Sequence, residues 1–445
     1  MKKIAILGAI LLLAAVMGFA GGNKQSSDAR IQITYSFWGT PEEFVATQKA
    51  INVYNDMQNK VLVTAVQIPH DSYEAALNTR AAAGMLPDCG MMIEGNILKY
   101  ANMGYLMDVS QMYGTKDAKP LDSITFKMDG KPVAYAASNE ILIMYYNKKM
   151  FDAAGVPYPP AAVDRAWTWD EFVATAKKLT LDTNGRTPND AGFNRNQIRQ
   201  YGAMVENLTW QLEVWALSNG GGFYSPDGKS VIIDQDAAIE AIQKVADLHL
   251  KDNVAPLSPG LTDDGVQRSL IAGTVAMTTN GHWNIGTCLS TARDEQGLDY
   301  GIAVLPYMKN KLTINTSGAP VVFNQTKHPK EAMDFIKWYT QIENSWFLIE
   351  LGIWMPPLES YYKDEALIKK WISYPAYPPA ADYRSAVIDY TLSSAKPAAW
   401  FFTPNTADFN NLLQSILGEV WTGAKTARDV ITANSAALKR IHAEK

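Results

Sequence analysis

RIQITYSFW, at Arg30–Trp38, is a β-rich run, and the pattern that follows it decides the fold. Next comes FVATQKAINVYNDM (Phe44–Met57), with apolar residues at helical spacing, and then VLVTAVQI (Val61–Ile68), a second strand. YEAALNTRAAA (Tyr73–Ala83) reads as a helix, CGMMI (Cys89–Ile93) as a short apolar strand, and ILKYANM (Ile97–Met103) as another helix. Strands alternating with helices predict a parallel α/β sheet. In such sheets the ligand crevice lies beyond the carboxyl ends of the strands. Those ends are Phe37-Trp38-Gly39-Thr40, Pro69-His70-Asp71 and Glu94-Gly95-Asn96. Thr40-Pro41-Glu42-Glu43 carries the signature of a capping box, which gives Glu43 a structural task and leaves Trp38 and Glu42 free to face a ligand.

The alternation continues. Ala134–Tyr146 reads as a strand region, and a helix begins at Asn147 and stops at Gly155. Thr168-Trp169-Asp170-Glu171 is a second capping box, and Asp182–Arg199 is a polar surface loop. Further helices are expected at Asn207–Asn219, Ala237–Leu250, Asp264–Ile271, Ala332–Leu348, Thr406–Trp421 and Thr426–His442, with Gly423 between the last two. Short strands are expected at Met277–Asn280 and Tyr300–Leu305.

The chain has 445 residues, enough for roughly two to three domain-sized units. With 47% hydrophobic and 19% charged residues it can bury a core. Its net charge is −5, which argues against nucleic acid or an anionic membrane surface as a partner. Cys89 and Cys288 stand far apart, and His70, His249, His282, His328 and His442 are scattered. Neither a disulfide scaffold nor a metal centre is expected, and no cofactor. Aromatic residues are abundant, with 12 Trp and 21 Tyr. At the N-terminus, Lys2 and Lys3 precede an apolar run, Ile4–Met17, which ends in Gly18-Phe19-Ala20-Gly21. This is the pattern of a secretory signal peptide, residues 1–20, cleaved near Ala20. Without Lys2 and Lys3, 38 basic residues face 45 acidic ones, a net of −7. The run is short for a retained anchor.

From Ile141 to Leu179 the chain reads ILIMYYNKKMFDAAGVPYPPAAVDRAWTWDEFVATAKKL. Its YNKxxF run, its AG-V-PxPP loop and its TWDEF helix start resemble the extracellular solute-binding proteins of bacterial ABC importers, in particular the carbohydrate-binding family that includes maltose-binding protein. Pro87-Asp88, Gly273…Met277 leading into Asn280-Gly281-His282-Trp283, and Pro329-Lys330-Glu331-Ala332 agree with that family in order. The likeness runs from about Ile31 to Ile441; residues 361–400, rich in Tyr, Pro and Trp, match nothing in it. The cysteine that anchors many relatives to lipid is absent here, which implies a freely diffusing periplasmic protein.

The resemblance implies a two-lobed periplasmic-binding-protein fold, type II-like, each lobe a mostly parallel sheet flanked by helices. Lobe 1 would comprise residues 21–137 plus 308–356 and lobe 2 residues 138–307 plus 357–445, with three chain crossings forming a hinge. It also implies a substrate-binding component that takes a sugar into the interlobe cleft and delivers it to the transmembrane subunits of an ABC permease, acting as a monomer and without catalysis. Aromatic faces would cover the C–H faces of a sugar, and carboxylates and amides would meet its hydroxyls.

The candidate ligand-binding residues follow from residue type and from the family. Trp38, Glu42, Glu94 and Asn96 stand at strand ends; Asn96 reads equally as a helix cap. Glu140, a charge in an apolar strand, needs a partner and falls on a sugar-binding carboxylate of the family. Trp210 and Trp215 cannot share a helix face, so one belongs to the core; Trp210 falls on a stacking position of the family. Trp283 falls on the family's stacking platform, flanked by Asn280. Ser317 and Gly318, Trp354 before Met355-Pro356-Pro357, and Trp400 complete the set. Two other readings remain: the same fold with a polyol or polyamine ligand, or a secreted glycoside hydrolase.

Overall fold

The structure, a computed structural model, describes residues 29–39, 41–113, 119–257 and 269–443. The signal-peptide reading, Thr40 of the first capping box and most of the Asp264–Ile271 helix lie outside the described residues.

Fourteen strands are described. β1 (Ile31–Phe37), β2 (Val61–Gln67), β3 (Cys89–Met92) and β13 (Ala319–Val322) form one sheet in the order β13-β3-β1-β2. β1 runs parallel to both β2 and β3, in register from Ile31↔Val61 to Phe37↔Gln67. The helices between them, Pro41–Met57 and His70–Ala82, supply the crossovers. Ile33, Tyr35 and Phe37 pack with Phe335 and Ile336 of the Pro329–Tyr339 helix. Asp88, just before β3, ties that strand to β1: its carboxylate accepts from Thr34 N and Oγ1 at 2.8 and 2.9 Å and from Thr326 Oγ1 at 2.6 Å.

The second sheet is built on β6 (Glu140–Asn147), every residue of which is buried. It joins β9 (Met204–Val205), β10 (Met277–Gly281), β11 (Tyr300–Ala303), β12 (Thr313–Thr316) and β14 (Ala395–Pro397). β10, β11 and β12 all run antiparallel to β6. This sheet is therefore mixed, where a mostly parallel one was expected. β6 enters from the other sheet's side of the molecule and not from a helix on its own sheet, so the βαβ rule does not set its direction. Two-stranded ribbons, β4 (Lys127–Met128) with β5 (Lys131–Pro132) and β7 (Leu181–Asp182) with β8 (Ile198–Gln200), lie apart. β7 and β8 frame the polar loop expected at 182–199.

Two local readings change. The expected Ala134–Tyr146 strand begins only at Glu140. The expected Ala332–Leu348 helix is two helices, Pro329–Tyr339 and Ile342–Glu350. Thr340 Oγ1 folds back on Ile336 O at 2.7 Å, and Gln341 takes an extended conformation that starts the second helix. The capping box at Thr168 and Glu171 is present in both directions, and Gly155 ends its helix in the left-handed region with φ 62°. Residues 360–394 form short helices.

Three passages cross between the sheets side by side. Asn139 N donates to Met355 O at 3.0 Å, and Met355 N returns to Asn139 O at 3.2 Å. Asn315 Nδ2 donates to Asn139 Oδ1 at 2.7 Å, and the Ser138 and Ser317 hydroxyls meet at 2.7 Å. Asn139 thus ties all three passages together.

Candidate functional site

The candidates fall into two groups on either side of the crossings. In the second sheet β10 ends in Asn280-Gly281, and Trp283 folds back over Gly281. A Cβ on Gly281 would lie 2.0 Å from the indole ring, so only glycine admits the side chain there. Trp283 faces Trp210 at 6.2 Å between ring centroids, and Trp210 meets Trp400 edge-on at 5.4 Å. Trp210 and Trp283 are partly exposed; Trp400 is buried, and its Nε1 has no hydrogen-bond partner. Trp215 is the core member of its pair, packed edge-on against Trp169.

The first sheet offers a matching arrangement. Trp38, just past β1, lies against Gly318, where a Cβ would come 2.8 Å from the ring. His70 and Tyr73 contact its edge. Both sides thus present a partly exposed tryptophan seated on glycine. Trp354 packs with Trp283 on the small cluster of Ala46, Leu348 and Ile353.

The polar groups lie between. Glu94 opens the Glu94–Asn102 helix and accepts from Thr316 Oγ1 at 3.0 Å. Thr316 is paired in the sheet with Glu140, so both carboxylates flank one threonine. Glu140 Oε1 accepts from Met355 N at 3.3 Å, and Oε2 lies 3.1 Å from His282 Nδ1. Burial pushes the Glu140 carboxyl well up, and Glu43 and Glu94 add to the rise. Burial raises Glu94 too, against the Thr316 hydrogen bond. His282 is fully buried and its pKa falls to about 3, so the ring is neutral.

Other candidates face inward. Asn280 is buried, donating to Glu206 Oε2 at 2.7 Å and accepting from Gly281 N at 2.6 Å, which shapes the turn under Trp283. Ser317 holds the crossing through Ser138. Asn96 caps nothing: Ile93 is the cap residue, and Asn96 sits buried inside the helix with Oδ1 lacking a partner. The side chain of Glu42 lies outside the described residues.

Sequence reasoning missed Thr316, Glu206 and Tyr383. None stands in a motif. Tyr383 belongs to the unmatched stretch, which folds into an aromatic wall of Tyr362, Trp371, Tyr377 and Tyr383 behind His282.

The arrangement suits a polyhydroxylated ligand: indole faces from both sides, hydrogen-bond acceptors at the crossing, and no metal cluster among the described residues. A family model described as bacterial extracellular solute-binding protein matches residues 49–379. The chain is 23% identical to the maltodextrin-binding protein of Bacillus subtilis over 96% of this chain and 91% of that one. It is 28% identical to the sn-glycerol-3-phosphate-binding periplasmic protein of Agrobacterium fabrum, over 69% of this chain and 68% of that one. A solute-binding protein of Thermotoga lettingae bound with α-D-tagatose superposes with a TM-score of 0.77 at 20% identity, covering 92% of this chain and 99% of that one. That likeness speaks to the fold.

Proposed function

The chain belongs to the bacterial extracellular solute-binding protein family, and on that premise we propose that it captures a sugar or short oligosaccharide between its two lobes. The carrying observation is the partly exposed pair Trp210 and Trp283, backed by the buried Trp400, with the partly exposed Trp38 on the first sheet. Indole faces cover the C–H faces of a pyranose, and Glu140 and Glu94 accept from its hydroxyls. We propose lobe 1 as residues 21–137 and 308–356 and lobe 2 as residues 138–307 and 357–445; the pairing of β12 with β6 supports carrying lobe 2 on to Ser317. Binding involves no catalysis, and the loaded, monomeric protein delivers its ligand to the transmembrane subunits of an ABC permease. Membership in an extracellular family makes it an exported protein. We assign residues 1–20 as the signal peptide and the periplasm as its destination. Among the described residues no helix is long and apolar enough to cross a membrane.

Two other ligands fit less well. A phosphate ester, as bound by the Agrobacterium relative, would meet the desolvated carboxylates of Glu94 and Glu140, whose own mutual repulsion already raises Glu140. A polyamine's several ammonium groups would call for more free acceptors than Glu94 and Glu140, each of which already accepts from Thr316 Oγ1 or Met355 N, and would leave the indole faces without a role.

Intrinsic tryptophan fluorescence of the mature chain, titrated with D-tagatose, maltose, maltotriose, glycerol 3-phosphate and spermidine, tests the reading. A saturable change with a sugar at micromolar concentration is expected. A response to spermidine or glycerol 3-phosphate alone overturns the carbohydrate assignment.

A further inference from the structure

His282 and Tyr383 are fully buried behind Glu140 and take no contact with the ligand in the account above. His282 uses both ring nitrogens: Nδ1 meets Glu140 Oε2 at 3.1 Å, and Nε2 is hydrogen-bonded to the Tyr383 hydroxyl. Tyr383 is itself held by the aromatic wall, with ring centroids 4.8 Å from Tyr377 and 5.5 Å from Trp371. The wall is anchored in turn. Trp371 Nε1 donates to Tyr361 O at 3.0 Å, and Tyr362 OH donates to Pro356 O at 2.8 Å. Its members come from the stretch 360–394.

We propose that His282 and Tyr383 are positioning residues for ligand recognition, forming a phenol–imidazole–carboxylate chain that fixes the rotamer and the acceptor character of Glu140. The proposal rests on the reading that Glu140 meets the ligand. The direction of the chain follows from the ionised carboxylate at its end, which can only accept. A neutral imidazole carries one N–H. With Glu140 ionised the single N–H sits on Nδ1 and donates to Oε2, and the bare Nε2 accepts from the Tyr383 O–H; these donors oppose the burial that favours the neutral acid. Met355 N supplies the second donor to the same carboxylate. With the His282 donor and the Met355 N–H, which it shares with Asn139 O, behind it, the carboxylate is held in one rotamer and keeps its remaining lone pairs for a ligand. A carboxylate without that backing would have several rotamers in which to lose a sugar hydroxyl. A neutral histidine also adds no positive charge that would compete with the ligand for Glu140.

The groups that face this chain and titrate are Glu43, Glu94, Tyr145, Tyr362 and Tyr377. All are acids, and none supplies a cation that would replace the histidine.

Tautomer-resolved ¹⁵N NMR of the imidazole and sugar titration by calorimetry test the proposal together, on wild type, Tyr383→Phe, His282→Asn, His282→Leu and Glu140→Gln. The probe is whichever of D-tagatose, maltose and maltotriose binds wild type most tightly. The expected results are an Nδ1–H tautomer that stays neutral from pH 5 to 8, and loss of tautomer preference in Tyr383→Phe. Tyr383→Phe should raise Kd about five- to tenfold, with a changed pH profile. His282→Asn, whose amide N–H stands near the position of Nδ1, should retain more affinity than His282→Leu. An Nε2–H tautomer, or a His282 that titrates near pH 6.5, overturns the proposal. So does a pair of His282→Leu and Tyr383→Phe proteins that keep wild-type Kd and pH profile while Glu140→Gln loses binding. If Glu140→Gln binds like wild type, the placement of Glu140 at the ligand fails, and the proposal with it. If none of the three sugars binds wild type, the carbohydrate reading fails, and the tautomer result alone decides whether the chain exists.

Discussion

At the scale of single residues the site depends on side chains that oppose their own ionisation. Glu213, buried on the Thr209–Ser218 helix beside the tryptophans, is pushed from 4.5 to about 7, mainly by burial, with the Ala399 backbone N–H pulling the other way. A carboxyl raised in the folded state contributes stability that is complete below its unfolded pKa and is lost as pH rises through its folded value. The protein should therefore lose about 3 kcal/mol from this group between pH 4.5 and 7. In Glu213→Gln the thermal unfolding midpoint should be flatter over that window; a mutant curve parallel to wild type contradicts this. His282 works in the opposite sense: lowered from 6.5 to about 3, it contributes stability present above 6.5 and lost as pH falls toward 3. The sequence made Trp283, Trp210 and Glu140 legible as candidates, because a tryptophan after Asn-Gly-x and a charge in an apolar strand stand out. It did not reveal why residue 281 is glycine. That reason is a contact, the 2.0 Å between a notional Cβ and the Trp283 ring. Gly281→Ala should displace the indole and weaken sugar binding about as much as Trp283→Ala, measured by calorimetry. An affinity equal to wild type would show that the indole does not need its seat.

At the scale of elements, strands and helices with strong periodicity were readable almost to the residue. Thr406–Trp421 is found as expected. The break between Pro329–Tyr339 and Ile342–Glu350 was not, since apolar spacing continues across it. The stop comes from side chains that satisfy backbone groups: Thr340 onto Ile336 O, and Asn344 Nδ2 onto Trp338 O at 2.7 Å. Asn344→Ala should cost about 1 kcal/mol in chemical denaturation, with the slope unchanged. Behind Trp283 the turn at Ile285–Leu289 approaches the end of the Ile342–Glu350 helix through glycines. A Cβ on Gly286 would lie 2.3 Å from Leu351 O. That backbone contact joins the tryptophan's own turn to the first-sheet side, and no periodicity announces it. The aromatic wall of residues 360–394 was equally hidden, because its order in sequence says nothing about which ring meets which.

At the scale of the molecule, one hydrophobic cluster runs from the first sheet's helices into the second side, and polar contacts besides the crossings join the two. Thr406 Oγ1 donates to Gly95 O at 3.3 Å, and Lys99 Nζ reaches Asp408 at 2.9 Å. Both join the Glu94–Asn102 helix of the first sheet to the start of the Thr406–Trp421 helix. On the proposed reading, in which the two sides close on a ligand, such contacts add to the state in which the two sides are together. The Lys99–Asp408 pair is partly exposed and worth under about 1 kcal/mol. Lys99→Met should weaken ligand binding about two- to fourfold with no change in the unfolding midpoint, whereas an unchanged Kd would mean that the pair does not contribute to closure. The segment order was legible in the sequence and pointed to two lobes. The knot at Asn139 was not, because it needs three distant segments brought side by side. The most direct test of the whole account is the calorimetric Kd of the best-binding sugar for wild type and for Trp283→Ala. We predict micromolar or tighter binding by wild type and a loss of at least about a hundredfold in the mutant, the scale of a central aromatic contact. Equal affinities would place the ligand elsewhere and contradict the account.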